Sequence, residues 1–171
     1  MINKPNPDEY SEYAGRYVSL VGEGDIVDIL ERQKEESHRF LSAIGEEKSK
    51  YAYAEGKWTI KQMIGHMADT ERIFAYRALV FSHESTTLPG FDQDVYMQKA
   101  TFNSRPLEDL VNELKTVREA SIYLFKWMTD EQSKQTGIAS GSPFSPRAYA
   151  YMIAGHELYH WGVLRERYGV V

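Results

Sequence analysis

The 171 residues are 42% apolar and 26% charged, the balance of one self-folding globular domain and not of a disordered or fibrous chain. With 20 Lys and Arg against 25 Asp and Glu, the net charge of -5 gives no electrostatic reason to expect nucleic acid or an anionic membrane as partner. There is no cysteine, which removes disulfides, zinc-thiolate sites and a cysteine nucleophile, so any metal must be held by His, Asp or Glu.

The start, Met1 to Asp8, is polar and broken by prolines. It lacks the apolar core of a signal peptide, and no later run reaches the ~18 apolar residues of a membrane span, so the expected location is the cytoplasm. Residues 1–23 read as an N-terminal extension packed on a single domain that takes in all of 1–171.

Four segments carry helical periodicity. The first follows Gly22-Glu-Gly24, with Asp25 as N-cap, and places Ile26, Ile29, Leu30, Gln33, Ser37, Phe40, Leu41 and Ile44 on one side before Gly45. In the second, Thr59 and Gln62 have capping-box spacing. Ile60, Met63, Ile64, Met67, Phe74 and Ala78 form its stripe, and it should run to about Phe81. Pro106 suits the first turn of the third, which continues from Leu107 to Met128, and Thr129-Asp130 suggests a short extra turn. The fourth opens at Ser145-Pro146, carries Tyr149, Met152, Ile153, His156, His160, Val163 and Leu164 on one face, and stops at Gly169.

The segments between them are rich in Gly, Pro, Ser and charge and show no strand alternation. The expected class is therefore all-α, a four-helix bundle with a long connection between its second and third helices. That connection, which contains Leu88-Pro-Gly-Phe-Asp92, is too long for a tight hairpin and should cross a bundle end or line a site.

His156-Glu-Leu-Tyr-His160 matches the H-E-x-x-H pattern, which puts two imidazoles on one helical turn facing the same point. Zinc proteases with this pattern take a third ligand from downstream. Here the eleven residues after His160 hold no histidine, and the metzincin positions are filled by Val163 and Glu166. Glu157 points about 100° away from His156 and is a poor general base. A third ligand has to come from upstream, where His66, at the border of the second helix's stripe, is the best candidate and His38 and His83 are weaker. Three imidazoles would leave positions open for water or substrate. The plainer alternative is that these histidines are hydrogen-bonded core residues.

Two charges also sit in apolar stripes, Glu71 about 40° from Met67 and Arg118 about 40° from Leu114. They read either as a buried pair that fixes helix register or, for Glu71, as a carboxylate that orients a ligand histidine or a bound water. Tyr149, Tyr151, Tyr159 and Trp161 read as packing.

These residues resemble the DinB-like superfamily of metal-binding four-helix bundles. Trp58-Thr-Ile-Lys-Gln-Met-Ile-Gly-His66 through Glu71 to Arg77 is similar to the family's second-helix signature, Leu88-Pro-Gly-Phe-Asp92-Gln-Asp94 to its following loop, and Gly155-His156-Glu-Leu-Tyr-His160 through Tyr168 to its closing motif. The similarity spans roughly residues 20 to 168. It implies a three-histidine metal site at His66, His156 and His160, with zinc or nickel as the usual metals and iron or manganese as others, and a homodimer as a common assembly. Relatives include bacillithiol S-transferases, a mycothiol-dependent isomerase and proteins labelled metal-dependent hydrolases.

The expected function is accordingly a metal-dependent enzyme that activates a thiol or water for S-transfer or hydrolysis on a small-molecule substrate. Without a cysteine of its own, S-transfer requires an external low-molecular-weight thiol. Asp92 and Asp94 could meet a cationic part of such a cofactor, and an exposed loop explains them equally well. The competing expectation is a non-catalytic, metal-stabilised helical dimer or binding module.

Overall fold

The computed structural model describes all 171 residues. Its helices are α1 (Glu12–Val18), α2 (Ile26–Ser42), α3 (Glu46–Ser49), α4 (Ile60–Phe81), α5 (Gln93–Lys99), α6 (Leu107–Lys126), α7 (Asp130–Lys134) and α8 (Pro146–Tyr168). The four long ones start where the chain supplies partners for otherwise unpaired N–H groups. Asp25 accepts from the Val27 N–H at 3.1 Å, and Ser145 accepts from the Ala148 N–H at 3.1 Å with Pro146 in the first turn. Thr59 and Gln62 close a reciprocal capping box. Leu107 N–H, which has no capping side chain beside it, donates to Glu46 Oε2 at 2.8 Å, a carboxylate brought from α3 to the positive end of α6. Gly169, at φ 62°, ends α8 in the left-handed conformation that glycine adopts without strain.

Side-chain pairs between neighbouring helices fix their directions. Lys115 to Glu35 and Lys34 to Glu119 run α2 and α6 antiparallel; Tyr168 OH on the Trp58 carbonyl and His156 beside His66 do the same for α8 and α4. Lys61 to the Arg105 carbonyl and Arg72 to Glu113 make α4 and α6 parallel, and Gln33 on the Ala154 carbonyl makes α2 and α8 parallel. Parallel neighbours joined in sequence need a connection that travels the length of the bundle. The chain from 82 to 106 is that connection.

The core has two apolar clusters. Ile26, Leu30, Phe74, Phe81, Phe125 and Tyr149 belong to one, and Leu41, Ile60, Ile64, Leu110, Leu114 and Leu164 to the other. On every long helix a buried polar residue falls between them: Gln33 and Ser37, His66 to Glu71, Arg118, and His156 to His160. The bundle thus carries a polar layer at its middle.

The expectation of no strands is corrected by a small sheet. β1 (Thr87–Leu88) pairs parallel with β2 (Gly137–Ala139), which pairs antiparallel with β3 (Ser142–Phe144) in the register Leu88 to Ala139 and Ile138 to Pro143. Strands of two or three residues are too short to show alternation. The hairpin turn is Ser140-Gly141, both at positive φ, the backbone that a two-residue loop requires. Helices α1 and α5 also lie where no helix was expected, each only seven residues long. Ala14, Tyr17 and Val18 bury α1 against α8, and Ile2 joins the same apolar cluster. The fit depends on Gly155, where a Cβ would stand 2.0 Å from the Tyr17 carbonyl oxygen.

Candidate metal centre

Two helices deliver the three histidines. His66 lies in the second turn of α4, and His156 and His160 lie one turn apart on α8. Their rings converge in the polar layer: His66 Nε2 is 3.2 Å from His156 Nε2, which is 3.0 Å from His160 Nε2. All three side chains are buried, and their ligand-capable atoms lie within 4.8 Å of one another. His38, bonded to Asn112, and His83, bonded to Ser82, take no part in the cluster.

Burial holds the rings neutral. It pulls His66 from its ordinary 6.5 to about 4, and His160 to about 3 with further lowering from the neighbouring His66. His156, enclosed and flanked by both other rings, is pushed well below 6.5. At neutral pH the cluster therefore presents imidazoles and not imidazoliums. An imidazole nitrogen has one in-plane lone pair or one hydrogen, so His156 Nε2 can complete a hydrogen bond with only one of the two nitrogens beside it. Hydrogen bonding alone leaves the other contact as an unfavourable juxtaposition. Three nitrogens sharing a cation resolves it, and neutral imidazoles are a donor set that divalent transition metals accept. The opposite ring atoms differ in support: His66 Nδ1 is 3.3 Å from Thr70 Oγ1, while His160 Nδ1 is buried without a partner.

Behind the histidines lies an ion cluster. Arg118 Nε is 2.9 Å from Glu71 Oε1 and its Nη2 is 3.0 Å from Glu71 Oε2 and 2.8 Å from Glu157 Oε2. Both Glu71 oxygens go to Arg118 in a bidentate pair, and Glu157 also accepts from Ser37 Oγ. Two carboxylates around one guanidinium leave an excess negative charge in a dry interior. Burial accordingly raises Glu157, with repulsion from Glu71 adding to it against the pull of Arg118.

Two adjoining cavities open on the histidines. The first, about 340 Å³, is lined by His66, His156, His160, Trp58, Tyr159 and Asp94 among others. The second, about 310 Å³, is lined by His66, His156, Thr70, Phe74, Arg77 and Phe91 among others. Tyr13, Tyr17 and Gln93 border both. Tyr17 packs edge-on against His156 with ring centroids 5.3 Å apart, and Trp58 lies 4.9 Å from His66. Arg16 Nη2 donates to Tyr17 OH at 2.7 Å and also to Tyr13 OH. Asp92 caps α5, accepting from the Asp94 N–H at 2.9 Å, and Asp94 itself lines the first cavity.

Sequence reasoning missed Tyr13, Arg16 and Tyr17, because seven-residue α1 offers too little chain for a periodic signal. Tyr159, read as packing, lines the first cavity and is 39% exposed. Gln93 opens α5 within the connection whose sequence drew attention, although nothing in that sequence singled it out.

The family model of the DinB superfamily matches residues 29–164. The chain belongs to the DinB superfamily. This DinB protein is 27% identical over 122 residues, 70% of each chain, to a protein of Oceanobacillus iheyensis named "Putative metal-dependent hydrolase OB0413". Among solved structures it resembles YfiT from Bacillus subtilis, described as a probable metal-dependent hydrolase with an unusual four-helix bundle topology. That match has a TM-score of 0.74 at 16% identity and covers 98% of this chain and 94% of the other. It bears on the fold.

Proposed function

We propose that His66, His156 and His160 together hold one divalent transition metal, and that the site serves a two-substrate reaction in which a low-molecular-weight thiol attacks a small electrophilic molecule. The reading is carried by the contact of His156 Nε2 with two imidazole nitrogens at 3.0 and 3.2 Å, which hydrogen bonding cannot satisfy at once. Nitrogen donors bind nickel and zinc ahead of iron and manganese, so zinc or nickel is the expected occupant. Such an ion, when bound, stabilises a thiolate or hydroxide near neutral pH.

The chain's own residues supply the rest. Trp58, Tyr17 and Tyr159 wall the histidines with aromatic surface. Two adjoining cavities share His66, His156, Tyr13, Tyr17 and Gln93 in their linings, room together for a thiol and an electrophile, whereas hydrolysis requires one organic substrate and water. The absence of cysteine makes the thiol an external one, which a reducing cytoplasm provides. The homodimer implied by the resemblance is supported by Tyr123 and Trp127, one turn apart at the end of α6 and 70% and 78% exposed.

The test is thiol consumption with a panel of low-molecular-weight thiols and an alkylating electrophile, before and after chelation. Consumption above the uncatalysed rate only in the metal-bearing protein supports the reading. Unchanged consumption after metal removal overturns it, and metal-dependent ester cleavage without thiol moves the assignment to hydrolase.

A further inference from the structure

Four lysine or arginine side chains are buried in this bundle, and three of them have a carboxylate: Lys61 pairs with Glu46, Arg118 with Glu71 and Glu157, and Arg147 with Glu9. Arg77 is the fourth. It is 6% exposed and its hydrogen bond is from Nη2 to the Pro89 carbonyl at 2.7 Å, with the Phe91 ring centroid 5.6 Å from its guanidinium carbon. No acidic side chain lines the second cavity, in which Arg77 is the one permanently charged group. A buried guanidinium without a counter-charge is costly to keep.

Position ties this charge to the histidines. Arg77 follows His66 by eleven residues on α4, which puts the two about 20° apart around the helix and about 16 Å apart along it. Thr70 and Phe74 fill the intervening turns and line the same cavity. Its walls also include Phe91, Phe144 and Met152. A second cation is missing from them, so the cavity suits a single negative charge on a planar group better than a phosphate dianion.

We propose that the second chamber binds an anionic organic substrate by its carboxylate, with Arg77 as the specificity-determining partner and the substrate's apolar body lying along Thr70 and Phe74 toward His66. This rests on the proposed function for the identity of the reacting end, but the binding itself does not require it. A planar guanidinium offers two parallel N–H groups to a carboxylate; Nη2 already donates to the Pro89 carbonyl and the Tyr149 hydroxyl is a further polar neighbour, which leaves part of the five-donor fork for the ligand.

The test is calorimetric titration of the purified full-length protein, with metal content measured, using hexanoate and its neutral isostere hexanamide as probes. Wild type is expected to bind hexanoate at least tenfold more tightly than hexanamide. Arg77→Met should remove that preference, and Arg77→Lys, which keeps the charge and loses the planar pair of donors, should keep part of it. Equal affinity of wild type for the two probes overturns the proposal whether or not the variants fold. So does a preference that persists in a folded Arg77→Met, which would mean that hexanoate binds at the histidines. Metal content unchanged across the variants separates this outcome from failure of the metal site, which would show as wild-type protein that takes up no metal.

Discussion

Glu157 Oε2 accepts a hydrogen bond from Arg118 Nη2 at 2.8 Å, so the residue that an H-E-x-x-H match would cast as a catalytic base is held by an arginine on another helix. Its carboxylate lies with Glu71 and Ser37 in the polar layer. The match therefore reports the spacing of two inward-facing histidines and nothing about the residue between them.

The two carboxylates of this cluster should respond differently to substitution. Glu71→Gln breaks a bidentate buried pair and should cost about 3 kcal/mol or more. Glu157→Gln relieves the excess negative charge while keeping an acceptor oxygen for Arg118, with its NH2 able to donate to the Ser37 hydroxyl once that rotates, and should cost less than about 1.5 kcal/mol. Denaturant unfolding measures both. Metal content, read by elemental analysis, should be unchanged in each; loss of metal from Glu157→Gln would give that residue a role at the histidines.

Gly155→Ala tests how α1 is seated. The added methyl would meet the Tyr17 carbonyl at 2.0 Å, so α1 has to lift away from α8 and carry the Tyr17 ring off His156. A loss of about 2 kcal/mol or more is expected in denaturant unfolding. A variant of wild-type stability would show that α1 does not rest on this glycine.

Acid should act on the metal-free protein through the same three rings. Their folded values lie below 6.5, at about 4 for His66 and about 3 for His160, so the unfolded chain binds more protons between these limits. The stability contributed by neutral burial is complete above pH 6.5 and is lost as pH falls toward 3 to 4. For His66 alone the difference is on the order of 3 kcal/mol. Chelated wild type should thus lose stability across this window more steeply than chelated His66→Ala. Parallel curves would contradict the assignment.

The long helices and the site histidines were legible for one reason: each rests on a local signal repeated over many residues. Asp25, Thr59 and Ser145 mark helix starts by their side-chain caps and Gly169 an end by its backbone freedom, and stripes along helices of 17 residues or more average out exceptions such as Glu71. Convergence of His66 with His156 needed the family resemblance as well, since helix periodicity gives a face and not a partner. Arg118 shows the limit on the other side. Its pairing with Glu71 could be guessed from two charges in apolar stripes, but the third member, Glu157, could be read only as facing away from the histidines, and its partner on α6 appeared once the helices were placed. Tyr17 and Arg77 were out of reach, one because its helix is two turns long, the other because an arginine's lack of a counter-charge is visible only when every neighbour is known.

The central claim is that three histidines act as one metal site, and the most direct measurement is metal stoichiometry in the wild type and in His66→Ala, His156→Ala and His160→Ala. Elemental analysis after equilibration with limiting zinc or nickel should find about one ion per wild-type chain and at least a tenfold loss of affinity in each variant, with far-ultraviolet circular dichroism confirming the helices. Folded single variants that keep the full complement of metal would contradict it.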